Sequence, residues 1–94
     1  MEIEKKRAEI DEIDSFIVRL FLKRMKLCGD IGYYKKENGI RVYDEAREKE
    51  VFAKADALAP QEMKEYVELL YETVIGLSNA CQIEILNSDD AGSK

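Results

Sequence analysis

The sequence predicts an all-α fold of three helices, long, short and medium, and three observations carry that prediction. From residue 3 to about residue 36, apolar side chains recur at helical spacing with no proline among them. One proline and five glycines in 94 residues are too few turn-formers for a sandwich or barrel of many short strands. Apolar types make up 46% and charged types 37%, a balance ordinary for a helical globular chain.

Strict 3-4 spacing picks out Ile3, Arg7, Ile10, Asp14, Ile17, Phe21, Arg24, Cys28, Ile31 and Lys35. Beside them run Ile13, Leu20, Leu27 and Tyr34, which widen the apolar face. Only Gly29 and Gly32 oppose the helix. A helix of about 34 residues is roughly 50 Å long, whereas a 100-residue globule has a radius of gyration of about 13 Å. The rest of the chain is too small to cover it. The sequence therefore predicts a homodimer, with a second copy on the exposed apolar half.

Asn38-Gly39 marks the end of that helix, and Asp44 is a good N-cap for a short helix from about 44 to 57. On it Asp44, Arg47, Glu48, Val51, Ala55 and Leu58 share a face. Ala59-Pro60 breaks the pattern, and Pro60 suits the first turn of a third helix from about 60 to 86. Its recurring apolar residues are Met63, Val67, Leu70, Val74, Leu77, Cys81 and Ile85. Residues 1–86 read as one domain, and residues 87–94 as a polar, disordered tail.

Composition removes several function classes. Two cysteines and no histidine exclude a Cys/His zinc site and a histidine-based triad, and neither metal nor cofactor is expected. A net charge of −5 argues against nucleic acid as a partner. No apolar run approaches the roughly 18–20 residues of a membrane span, and the opening Met1-Glu2-Ile3-Glu4-Lys5 is no secretion signal. A soluble, cytoplasmic protein without a membrane partner is expected.

Residues 1–36 nevertheless carry nine Lys+Arg against seven Asp+Glu, while the remainder carry six against thirteen. Arg7, Arg24 and Lys35 sit where the spacing rule assigns interior positions. One such residue commonly snorkels at the edge of a stripe, but three on one seam of an acidic chain need anions. Asp14 serves one of them, and a small anionic ligand would serve the rest. Arg47 adds a fourth cation, and Glu48 is an acceptor suited to a ligand hydroxyl. Ser78 and Gln82, one turn apart, add two neutral hydrogen-bonding groups. Mid-helix Ser and Gln are more often half-exposed than functional, and the cysteines read as small core residues. The set suits a compact dianion bearing a hydroxyl. With no nucleophile–base pair and no phosphate-binding glycine loop, an enzyme built on it works by charge positioning.

The arrangement resembles the all-helical class of chorismate mutases. The matching elements are Arg7, Asp14, Arg24 with Lys35 eleven residues on, Asp44-x-x-Arg47-Glu48, and Ser78-x-x-x-Gln82, spread over about residues 3–86. The resemblance implies an intertwined homodimer with a helical-bundle core, in which Arg7 enters the partner's site. It also implies that Arg24 pairs with a substrate carboxylate, and that Lys35 contacts a carboxylate and the ether oxygen of the breaking bond, with Gln82 on the same oxygen. Arg47 is then a further cation near the carboxylates, and Ser78 a donor to one of them. Glu48, with the backbone at Asp44, accepts the ring hydroxyl, and Asp14 orients an arginine. The implied reaction is the rearrangement of chorismate to prephenate in phenylalanine and tyrosine biosynthesis, without a cofactor and with a rate nearly flat between about pH 5 and 8.

The loop Ile40-Arg41-Val42-Tyr43 departs from the proline found in many members. Gly76 inside the third helix costs up to about 1 kcal/mol unless close packing requires it. Without a fused dehydratase, dehydrogenase or synthase domain, the chain reads as a free-standing mutase. Two other readings stand beside this one: an isochorismate pyruvate lyase making salicylate, and a non-catalytic helical dimerisation module.

Overall fold

A computed structural model describes residues 2–88. Within them lie α1 (Ile3–Asn38), α2 (Glu45–Leu58) and α3 (Lys64–Asn87), with a 3-10 turn (Gln61–Met63) leading into α3. The thirty-six residues of α1 span about 54 Å, and the longest dimension of the molecule is 56 Å. No helix among the described residues is long and apolar enough to cross a membrane.

The ends of the elements follow from local chemistry. Gly39 closes α1 in the left-handed region at φ 65°, where an added Cβ would be strained. Its N–H and that of Ile40 bond the Lys36 and Lys35 carbonyls, satisfying two that the last turn leaves free. Asp44 caps α2, its side chain accepting from the Arg47 N–H at 3.1 Å. The third helix starts later than its expected position near residue 60. Ala59 and Pro60 are both extended, as the residue before a proline usually is. The chain then closes one tight turn from Met63 N–H to the Pro60 carbonyl before α-geometry begins at Lys64.

At the far end, α3 includes Asn87, which the sequence had assigned to the tail. Ser88 holds that end by donating to the Ile85 carbonyl at 2.7 Å and accepting from Lys36 of α1 at 3.1 Å. Positions 89–94, the rest of the expected tail, lie outside the described residues.

α3 packs on both α1 and α2, and its partners stand apart across a cavity. The crossing of α1 and α3 is close because Gly32 lies on it. A Cβ there would stand 3.1 Å from Gln82 Cγ and 3.3 Å from Gln82 Cα, so the two backbones nearly touch. Gly76 has no atom within 4 Å of where its Cβ would be, and packing within the chain does not require it.

Only Val42, Ala55 and Ile75 are buried apolar residues among those described, and none of their side chains is fully enclosed. Residues 3–20 of α1 are exposed throughout. Within a single chain this corrects the interior assignment of the first half of the stripe, because α3, the helix that packs on α1, covers only its second half. Ile10, Ile13, Ile17 and Leu20 are each more than half exposed, and Arg7 and Asp14 stand among them. The expected apolar face of α3 also splits: Val67, Val74, Cys81 and Ile85 are half-buried, whereas Met63, Leu70 and Leu77 face out.

Candidate functional site

Between the three helices lies a cavity of about 200 Å³ whose walls come from all of them. α1 contributes Arg24, Cys28, Ile31 and Lys35, a single helical face. The loop and the first turns of α2 contribute Val42, Asp44, Arg47, Glu48 and Val51. α3 contributes Ile75, Ser78, Asn79 and Gln82.

Two half-buried cations dominate this space, and both are held by neutral groups. The Arg24 guanidinium donates to Ser78 Oγ and lies 3.7 Å from Cys28 Sγ. The Ser78 hydroxyl in turn donates to the Val74 carbonyl at 2.9 Å, so toward Arg24 it acts as an acceptor. The Lys35 ammonium donates to the Val42 carbonyl at 2.7 Å and to Gln82 Oε1 at 3.1 Å. Neither cation has a carboxylate within ion-pair distance among the described residues. Although Asp44 and Glu48 line the same cavity, neither is paired with these two cations, and an anion entering it meets two donors already aimed by neutral partners.

Gln82 is buried and its amide is oriented from both sides. Nε2 donates to the Cys28 carbonyl at 2.9 Å while Oε1 accepts from Lys35. One amide N–H remains for a ligand. The sequence prior for a mid-helix Ser and Gln is half-exposure, yet Ser78 and Gln82 are the buried polar residues among those described. Both lie on the face of α3 turned to α1.

The acidic groups are arranged differently. Asp44 is turned to the N-terminus of α2, where its Oδ1 caps the helix. Glu48 is half-buried and accepts at Oε2 from Asn79 Nδ2 at 3.0 Å. Arg47 lines the cavity but is itself exposed and pairs with Glu50 at 3.1 Å, a surface contact of small energetic weight.

A model of the family described as chorismate mutase type II matches residues 6–83. The chain belongs to that family. The matched span runs from before Arg7 to beyond Gln82. A stretch of 49 residues, 52% of this chain, is 37% identical to part of a 3-dehydroquinate dehydratase from Pyrobaculum aerophilum and covers 16% of that protein. No solved structure matches the chain.

Of the residues singled out from sequence, Arg24, Lys35, Asp44, Arg47, Glu48, Ser78 and Gln82 line the one cavity. Arg7 does not. Seventeen positions separate it from Arg24, about 26 Å along the helix, so within one chain it stays outside. Asp14, expected to orient an arginine, makes no hydrogen bond or ion pair among the described residues; Ser78 and Cys28 hold Arg24 instead.

Three contributors escaped the sequence reading: Asn79, the Val42 carbonyl and Gly32. Asn79 had one local signal, a poor helix former placed beside Ser78 in mid-helix. The other two had none, because a carbonyl's direction and a helix crossing are not written in spacing.

Proposed function

We propose that this chain is a chorismate mutase that converts chorismate to prephenate by holding its two carboxylates on cations. The observation that carries the reading is the pair Arg24 and Lys35, half-buried, facing one cavity and satisfied only by neutral groups. Two such donors suit a dianion. The reaction is an isomerisation: the ether C–O bond breaks while a C–C bond forms, and no proton changes hands. What the protein supplies is conformation and charge. Bound carboxylates keep the flexible enolpyruvyl arm over the ring, an orientation effect. Lys35 and the free N–H of Gln82 stabilise the negative charge that grows on the ether oxygen. Arg24 takes one carboxylate, Arg47 adds a cation at the rim, and Glu48 accepts the ring hydroxyl. Ser78 aims Arg24 and, on turning its proton from Val74, also meets a carboxylate.

The active unit of this reading is a homodimer. The uncovered stripe Ile10, Ile13, Ile17 and Leu20 supports it, since a face of that length is costly in water and the chain's own core is small. A second copy laid along it brings its Arg7 to the cavity. The reaction of the dehydratase relative is not carried over, because the match spans a small share of that protein.

Incubation of the purified protein with chorismate and, separately, with isochorismate tests the reading. Prephenate from chorismate is the expected product. Salicylate and pyruvate from isochorismate, with little prephenate, would replace the mutase by a lyase. Turnover of neither would leave a helical dimerisation module.

A further inference from the structure

We infer that Asn79 is a positioning residue for ligand recognition: by holding one oxygen of Glu48, it sets where the other oxygen accepts a ligand hydroxyl. The inference rests on the function proposed above.

Glu48 projects from α2 and Asn79 from α3. Their contact, 3.0 Å from Nδ2 to Oε2, joins positions 31 residues apart, and both residues line the cavity. A glutamate carries three side-chain torsions, and an untethered one samples many rotamers. Tied at Oε2, its carboxylate plane and the direction of Oε1 are constrained. Oε1 has no partner among the described residues, and a carboxylate oxygen without one is an acceptor for a hydroxyl donor. The other carboxylate of the cavity, Asp44, is drawn to the N-terminus of its own helix. Hydroxyl recognition therefore falls to Glu48, and its aim falls to Asn79.

The arrangement also fixes discrimination by hydroxyl position. A site whose acceptor is held rigidly rejects a ligand that leaves the acceptor unmatched more strongly than a site whose acceptor can swing away. Asn79 lies between Ser78, which holds Arg24, and Gln82. The hydroxyl acceptor and the carboxylate-binding arginine thus share one short stretch of α3 as their reference.

The test is calorimetric titration of the full chain with two bicyclic ether dicarboxylates that mimic the rearranging substrate, one bearing the ring hydroxyl and one lacking it. Wild type is expected to prefer the hydroxylated ligand. Asn79→Ala should lose about tenfold in affinity for that ligand, as for a hydrogen bond to a charged group, and nothing for the other. In a Glu48→Ala background, Asn79→Ala should cause no further loss. Asn79→Asp keeps the size, replaces the donor by a like charge, and should show the same selective loss. Equal losses for both ligands, unchanged affinity for both, or failure of both variants to fold would make Asn79 a structural residue and overturn the inference. A wild type that binds neither ligand would instead overturn the reading of the site on which the inference rests.

Discussion

Gly32→Ala adds one methyl group at the closest point between α1 and α3, and its effect can be worked from distances. The new Cβ would lie 3.1 Å from Gln82 Cγ and 3.3 Å from both Gln82 Cα and Ile85 Cδ1, against the roughly 3.5–4.0 Å that carbons prefer. The Ile85 methyl can rotate away. Gln82 cannot do so freely: one of the crowded atoms is backbone, and its amide is tied to the Cys28 carbonyl and to Lys35. The helices must separate by a few tenths of an ångström, an overpacking cost of about 1–3 kcal/mol. Replacing a mid-helix glycine returns about 0.5–1 kcal/mol, so a net loss of about 1 kcal/mol is expected.

Gly29→Ala is the control, because its Cβ meets Ile85 Cδ1 at 3.7 Å and Cys81 Sγ at 3.9 Å, ordinary contact distances, and only the gain of about 0.5–1 kcal/mol should appear. Urea unfolding followed by circular dichroism at one fixed protein concentration measures both, since association contributes to apparent stability. Displacing Gln82 should also lower kcat about tenfold in Gly32→Ala, on the scale by which small misplacements slow catalysis, and leave Gly29→Ala unaffected. A Gly32→Ala protein as stable as Gly29→Ala and with wild-type turnover would refute the close-crossing argument.

Lys35→Ala should reduce turnover of chorismate about 100- to 1,000-fold, as when one donor to a developing oxyanion is removed, while circular dichroism reports unchanged helix content. Its lost bond to the Val42 carbonyl should cost about 1 kcal/mol in the loop, measurable by urea unfolding. Mixing Arg7→Ala with Lys35→Ala protein and allowing subunits to exchange should restore about a quarter of wild-type activity, since half the dimers are mixed and each has one intact site. Exchange without recovery would argue against a site shared between chains. The rate should stay nearly flat between about pH 5 and 8 because the donor amide of Gln82 does not titrate. Gln82→Glu makes the donor a carboxylic acid, so its rate should be highest at low pH and fall as rising pH removes the proton, which a pH–rate profile checks.

The helices were legible in the sequence because the forces that make them are local. The 3.6-residue stripe marked α1, Asn38-Gly39 its end and Asp44 the start of α2, each through bonds closed within a few positions. The start of α3 was less legible, since Pro60 suits either a helical first turn or the extended residue before a 3-10 turn, and the latter formed. In the site, Arg24 and Lys35 stood out as charges on an apolar stripe. Ser78 and Gln82 stood out as one helical spacing and through the family resemblance, while the ordinary expectation for a mid-helix Ser and Gln was half-exposure, and both are buried.

Which partner each group meets was decided by tertiary structure. Arg24 finds Ser78 54 residues away, Lys35 finds Gln82 at 47, and Glu48 finds Asn79 at 31. Those pairings exist because Gly32 lets α3 lie close on α1, while α2 packs on α3 and faces α1 across the cavity. A helix needs only hydrogen bonds between near neighbours and an apolar face, and both can be read along the chain. A site needs several helices to meet at a particular distance and rotation, and that depends on how their surfaces pack.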